Sequence, residues 1–328
     1  MRQDDFQRRH EAEWAALDEW LALRSRPSRK LRSQDAEAAF GDLEFARAYR
    51  RVCQQLAIAE RRGYSGVVLE RLRMLVHRGH LVLYRPPALR LQAALSFVAS
   101  GFPRLVRAEW RAMAISALLL FAPMLAMIAL LQWRPELVGS VFEPAQLAEL
   151  EGMYDPDAPH GKLGRESGSD LRMFGYYVYN NVSIGFRTYA SGLLAGIGPV
   201  FVLMMNGTLI GTAAGHLTAI GHGGPFWRFV VGHSAPELLA IVIAGGAGLG
   251  LGMALLAPGR LTRSRALAQA GAVGAKLVLG AFAMLMFAAF IEAYWSSIGS
   301  LPDSVKFGSG ALIWLAMLGW LALGGRTR

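Results

Sequence analysis

"VVGHSAPELLAIVIAGGAGLGLGMALLAPGR" (Val230–Arg260) sets a histidine and a glutamate, His233 and Glu237, four residues apart at the head of a Gly-rich apolar run. No charged side chain follows Glu237 until Arg260. Glu237 to Leu256 is therefore as long as the roughly 20 apolar residues that a helix needs to cross a bilayer. Two ionisable groups stand where water should be ending, and they need a reason to be there.

Similar runs flank this one. "MAISALLLFAPMLAMIALLQW" (Met113–Trp133) reads as a first span, with Pro123 as a kink and Trp133 at the far interface. The apolar stretch Val178–Leu217 is too long for one helix and is divided by "GIGP" (Gly196–Pro199), so two short spans are expected, 178–196 and 199–217. Spans near 237–256, 267–290 and 310–323 complete a set of about six. The composition agrees: 53% of the 328 residues are hydrophobic, above the roughly 45–50% of soluble domains. The expected fold is all-α, a polytopic membrane helix bundle over 112–328 preceded by a soluble helical domain.

Residues 1–111 are Arg-rich and contain no such run. Trp14, Leu17 and Leu21 recur at helical spacing. Asp35 can cap a second helix running to about Arg62, with Phe40, Leu43, Tyr49, Cys53 and Leu56 on one broad face, and Gly63 and Gly66 precede a third helix. A cytoplasmic three-helix bundle is expected over 1–87. Residues 88–111 mix Leu91, Leu95, Phe102 and Leu105 with Arg90, Arg104, Arg107 and Arg111, the pattern of an amphipathic interfacial helix whose arginines meet lipid headgroups.

The positive-inside rule places the Arg-rich N-terminal domain in the cytoplasm. Six crossings then bring Arg260, Arg263 and Arg265 and the C-terminal "RTR" to the same side. The 134–175 loop, with eight acids against four basic residues, falls outside. The expected location is a bacterial inner membrane, with both termini cytoplasmic. "MRQDDFQRRHEAEW" has charges but no apolar segment behind them, unlike a secretory signal. Cys53 is the single cysteine, so no intrachain disulfide forms. The net charge of +10 resides largely in membrane-flanking arginines without interleaved aromatics, so no nucleic-acid partner is expected.

Asn180, Asn181, Arg187, Asn206, His216, His222, His233, Glu237, Lys276 and Glu292 are the polar groups near the membrane core. His233 and Glu237 lie one helical turn apart. They form a metal pair, a proton relay, or a helix start in which Ser234 or Pro236 opens the helix and Glu237 favours its positive end. A zinc site needs further ligands, and no His-Glu-x-x-His pattern supplies them, so no metal or other cofactor is expected. Arg187, inside the second span, needs a partner, Glu237 first and Glu292 second. Lys276 snorkels toward the cytoplasmic side. Asn180, Asn181, Arg187, Asn206, His233 and Glu237 make up the expected polar cluster.

Gly192 and Gly196, then Gly207, Gly211 and Gly215, then Gly248 and Gly252 repeat at the four-residue spacing that lets helices approach closely in lipid. A face of this kind left spare would admit a homodimer. There is no Walker loop and no Gly-x-Ser-x-Gly elbow. No catalytic residue is expected.

"NNVSIGF…ASGLLAGIGPVFVLMMNGTLIGTAAG…GHSAPELLAIVIAGGAGLGLGMALLAPGR" resembles the stage II sporulation protein M family. Asn180, Asn181, Gly192, Gly198, Asn206, Gly207, Gly211, His233 and Glu237 fill that family's pattern. Ser234 replaces its usual glycine, and Pro199 stands where threonine is common. "YRRVCQQLAIAERRGYSGVVLERLRMLVHRGHLVLYR" (Tyr49–Arg85) is similar to the helical region of its longer members. The resemblance implies membrane assembly or envelope work without catalysis, alongside a MoxR-type ATPase and von Willebrand A-domain proteins. The function expected is thus an inner-membrane scaffold. The alternatives are a transporter or channel lined by Asn180, Arg187, Asn206, His233 and Glu237, and an intramembrane metal hydrolase using His233 and Glu237.

Overall fold

The computed structural model describes residues 2–25, 42–83, 91–157, 163–164 and 169–326. Among them there are thirteen α-helices and no β-strand. The chain divides into two compact units, Met1–Leu89 and Arg90–Arg328.

The first unit contains α1 (Gln3–Ser25), α2 (Asp42–Arg61) and α3 (Gly66–Leu83). Phe6, Trp14, Leu17, Trp20 and Leu21 of α1 pack on Phe45, Ala48, Val52 and Ala59 of α2 and on Val68, Leu72 and Leu75 of α3. The inward stripe of α2 is not the expected one: Tyr49 and Leu56 flank the core and Cys53 is half-buried. Asp35 and Phe40 lie outside the described residues. The reason is polar. The buried indole N–H of Trp14 requires an acceptor, and Gln55 Oε1 receives it at 2.7 Å. Turning Gln55 inward rotates Cys53 off the core.

The second unit opens with α4 (Leu91–Ser96), a π-helical segment (Phe97–Gly101) and α5 (Phe102–Ala108). The expected interfacial helix is thus broken, and its second half packs within the bundle: Phe102 is 1% exposed and stacks on Trp320 with ring centroids 5.4 Å apart. Glu109 interrupts the helix before α6 (Trp110–Trp133). The 134–175 segment contains a 3₁₀ turn (Pro135–Ser140), α7 (Pro144–Met153) with a Glu143/Gln146 capping box, and the first turn of α8 (Asp170–Ala190). There follow α9 (Ile197–Ala219), α10 (Gly223–Val230), α11 (Ser234–Leu256), α12 (Arg263–Ile291), a π-helical turn (Glu292–Ser296) and α13 (Asp303–Leu323).

Among the described residues, five helices are long and apolar enough to cross a membrane: α6, α9, α11, α12 with its π turn, and α13. The second expected span, 178–196, corresponds to α8. Its 21 residues reach about 31 Å at 1.5 Å per residue, but Arg172, Asn180, Asn181 and Arg187 make it amphipathic. It turns Tyr177, Asn181, Gly185 and Thr188 inward. The break after it comes earlier than Pro199. A 3₁₀ turn (Ser191–Leu193) leads to Gly196 at φ +82°, a left-handed conformation suited to glycine, and Pro199 already lies in the first turn of α9.

Glycines stand where helices come closest. A Cβ on Gly192 would lie 2.2 Å from Gly248 O, and one on Gly252 would lie 2.4 Å from Gly196 Cα. Cβ atoms on Gly207 and Gly211 would meet Leu120 O and Met124 O of α6 at 2.2 and 2.3 Å, and one on Gly215 would meet Ile128 Cα at 3.0 Å. All three stripes face helices of the same chain, so the expected spare face for a second copy is not among them.

Candidate functional site

Four elements converge around His233. This residue ends the turn after α10 and caps the N-terminus of α11 with its backbone; its side chain makes no capping bond there. His233 is 4% exposed. Its Nδ1 lies 2.9 Å from Ser296 Oγ, and the ring packs edge-on to Phe229 at 5.2 Å. With Nδ1 engaged, Nε2 faces Glu237 Oε2 across 3.8 Å, longer than a hydrogen bond. Glu237 reaches this place because one turn of α11 separates it from His233.

The third group is Glu292, the first residue of the π turn that ends α12, and it is 9% exposed. Widening the helix to i→i+5 bonding places Glu292 and Ser296 on the same side of the turn, facing α11; single π turns of this kind are frequent at functional sites. From α8, Asn181 Nδ2 donates to Glu292 Oε2 at 3.4 Å, and Asn180 Nδ2 donates to Asn181 Oδ1 at 3.3 Å. One ligand-capable atom from each of His233, Glu237 and Glu292 lies within 4.8 Å of the others. Glu292 thus adds a third ligand-capable group that the local sequence around His233 does not contain.

Other expected members of the cluster lie elsewhere. Arg187 is exposed and its Nε donates to Ser183 O at 3.2 Å, one turn back on its own helix. It forms no ion pair with Glu237 or Glu292 among the described residues; the outward face of α8 carries it away from them. Asn206 Nδ2 donates to Val202 O at 2.7 Å within α9. Lys276 is exposed. His216 and His222 form a separate group on Glu151, with His216 Nε2 2.7 Å from Glu151 Oε1 and His222 Nδ1 3.3 Å from its backbone oxygen.

The basic residues before α6 also differ from one another. Arg107 donates to the backbone oxygens of Leu321 and Gly324, satisfying carbonyls left open at the C-terminus of α13. It is engaged inside the unit, where a headgroup contact was expected. Arg104 and Arg111 are exposed, Arg111 over the ring of Trp110 at 5.6 Å. Arg90 lies outside the described residues.

Two residues that sequence reasoning passed over complete the site. Ser296 orients the histidine, and Lys306 Nζ, almost wholly buried, donates to Trp295 O and Ser296 O at 2.9 and 2.7 Å, tying α13 to the π turn. The signal for Glu292 was present, since it is the one acid in the apolar run "LMFAAFIEAYW". A cavity of about 320 Å³ lies at the other end of α11, lined by Glu109, Gly250, Met253 and Gln269 among others, and includes none of Asn181, Asn206, His233 or Glu237.

Residues 4–85 match a Domain of unknown function (DUF8413). No curated protein and no solved structure matches the chain. Residues 117–297, more than half of the chain, match the model described as Stage II sporulation protein M, and with the His233 and Glu237 helix, the α8 asparagines and the paired glycine stripes inside that region, the chain belongs to the Stage II sporulation protein M family.

Proposed function

We propose that this chain is an assembly platform of the bacterial inner membrane, in which the Arg90–Arg328 unit is the anchor and the Met1–Leu89 unit holds a soluble partner in the cytoplasm. The observation that carries this reading is on α3. One face of that helix is buried at Val68, Leu72 and Leu75, while Val67, Met74 and Leu81, seven residues apart, are 79%, 51% and 57% exposed. A soluble helix that keeps a second apolar stripe in water presents a docking surface. Counting α8 as a crossing keeps both termini and the Arg260–Arg265 turn on one side, in agreement with the positive-inside rule.

A transport path is less well supported. Arg187 and Asn206 each bond a backbone oxygen of their own helix, and the close glycine contacts leave little room between α6, α9 and α11. Catalysis forms no part of the proposal. By family resemblance the partner is a MoxR-type ATPase or a von Willebrand A-domain protein. Co-purification of the full chain with such an ATPase tests it. Met74→Glu with Leu81→Glu should abolish capture while helix content stays unchanged. Undiminished capture would remove α3 as the docking face. Solute flux through proteoliposomes that is lost in Glu237→Gln would replace the platform by a transporter.

A further inference from the structure

The arrangement of His233, Glu237 and Glu292 has a consequence that does not depend on the platform reading. Glu292 is buried and Glu237 is 19% exposed at its side chain, and both lie within 4.8 Å of His233 and of each other by their nearest ligand-capable atoms. Two carboxylates this close in an apolar bundle repel one another and have lost their water, so they need a cation or shared protons. No lysine or arginine provides it among the described residues. Lys306 Nζ is committed to two backbone oxygens, Arg228 pairs with Asp303 at 3.0 Å, and Arg187 is exposed on α8. Among the described residues Glu292 accepts a long hydrogen bond from Asn181, at 3.4 Å.

The donors are arranged as a metal would require. Hydrogen bonding of one imidazole nitrogen to a fixed oxygen sets the tautomer and aims the other nitrogen, as is usual for metal-bound histidines. Here Ser296 Oγ holds Nδ1 at 2.9 Å and Nε2 is turned to Glu237. A tetrahedral ion with bonds of about 2.0–2.1 Å has donor–donor edges of roughly 3.3 Å. The 3.8 Å between Nε2 and Oε2 is close to that edge, and small rotations of the two carboxylates bring the third donor in. One imidazole and two carboxylates suit a borderline transition metal better than Mg²⁺ or Ca²⁺, which prefer all-oxygen shells.

We propose that His233 Nε2, Glu237 and Glu292 bind one divalent transition-metal ion of the zinc class, with both carboxylates ionised and the imidazole neutral, and that the ion clamps the head of α11 to the π turn ending α12. Three protein ligands leave a fourth position to water. Asn181 steadies Glu292 from α8, and Ser296 is a positioning residue.

The test is metal analysis by mass spectrometry of the full chain purified in detergent without chelator, followed by chelation and titration with Co²⁺, whose visible absorption reports a low-coordinate N/O site. The expected result is a single equivalent of zinc or a related metal as isolated, or a single equivalent of Co²⁺ on reloading, with a rise in Tm. Glu237→Gln and Glu292→Gln keep the side-chain shape and should each weaken Co²⁺ binding by more than about 100-fold, since loss of an outer partner alone costs about 10–100-fold. Ser296→Ala should fall within that smaller range. A wild-type chain that is metal-free and shows neither Co²⁺ absorption nor a shift in Tm overturns the proposal. So does metal retained equally in both glutamine variants, because it would then sit elsewhere.

Discussion

The two units are built from opposite kinds of residue. In Met1–Leu89 the helices close around large rings: Trp14, Trp20 and Phe6 are among the largest fully buried side chains, and Trp20 stacks on Phe45 at 4.4 Å. In Arg90–Arg328, α11 meets the α8–α9 junction and α9 meets α6 at glycines, with no room for a methyl group. The solvent explains the difference. In water, burying a large apolar side chain is itself the driving force. Between helices that already sit in hydrocarbon that force vanishes, and close packing and backbone proximity remain.

Trp14→Ala should give the largest effect. Removing a fully buried tryptophan costs about 3–5 kcal/mol, and Gln55 Oε1 loses its donor as well. Hydrogen exchange over α1–α3 in the full chain reads this directly, and a loss under about 1 kcal/mol, far below that range, would mean that the rings do not hold this unit.

The glycine contacts predict changes of opposite sign two residues apart. Gly248→Ala drives a methyl to 2.7 Å from Thr188 O and should cost about 1–3 kcal/mol as overpacking. At Gly250 nothing lies within 4 Å, so Gly250→Ala should gain about 0.5–1 kcal/mol of helix stability. Thermal midpoints of the detergent-solubilised variants decide it. Equal shifts at the two sites would break the contrast.

The smallest effect concerns the Met1–Leu89 unit alone. Burial pushes the Glu13 carboxyl up, but hydrogen bonds from Arg51 and Gln55, helped by the charges of Arg51 and His10, outweigh it and hold its pKa below the ordinary glutamate value. A carboxylate depressed on folding stabilises above its unfolded pKa, and that contribution is lost as pH falls through the folded one. Acid should therefore loosen α1 from α2 below about pH 4.5, and Glu13→Gln should flatten this dependence in hydrogen exchange measured against pH. Its magnitude is small, because Arg51 is half exposed.

Much of this was legible along the chain. Trp14, Leu17 and Leu21 marked the buried face of α1, and the apolar runs marked each of the five candidate spans, those at Trp110–Trp133, Ile197–Ala219 and Ser234–Leu256 most closely. Long runs are legible because a bilayer imposes length and apolarity on each helix separately. The inward face of α2 differs from the expected one because it carries Gln55, whose partners Trp14, His10 and Glu13 all lie on α1, about forty residues away in sequence. The second expected span, 178–196, corresponds to α8, which ends at Ala190 and carries Arg172 and Arg187 on its exposed side, so it is less apolar than the five long helices.

The sequence by itself determined that His233 and Glu237 share one turn, because helix periodicity is local. It likewise determined which glycines recur at a packing interval. Only the tertiary structure decided their neighbours: that Glu292 and Ser296 close on His233 while Arg187 and Asn206 bond their own helix backbones, and that Gly192 and Gly196 meet Gly248 and Gly252. Spacing along a helix fixes which residues share a face. Which face meets which depends on how several helices fit at once, and a π turn at the end of α12 shifts that fit by one residue.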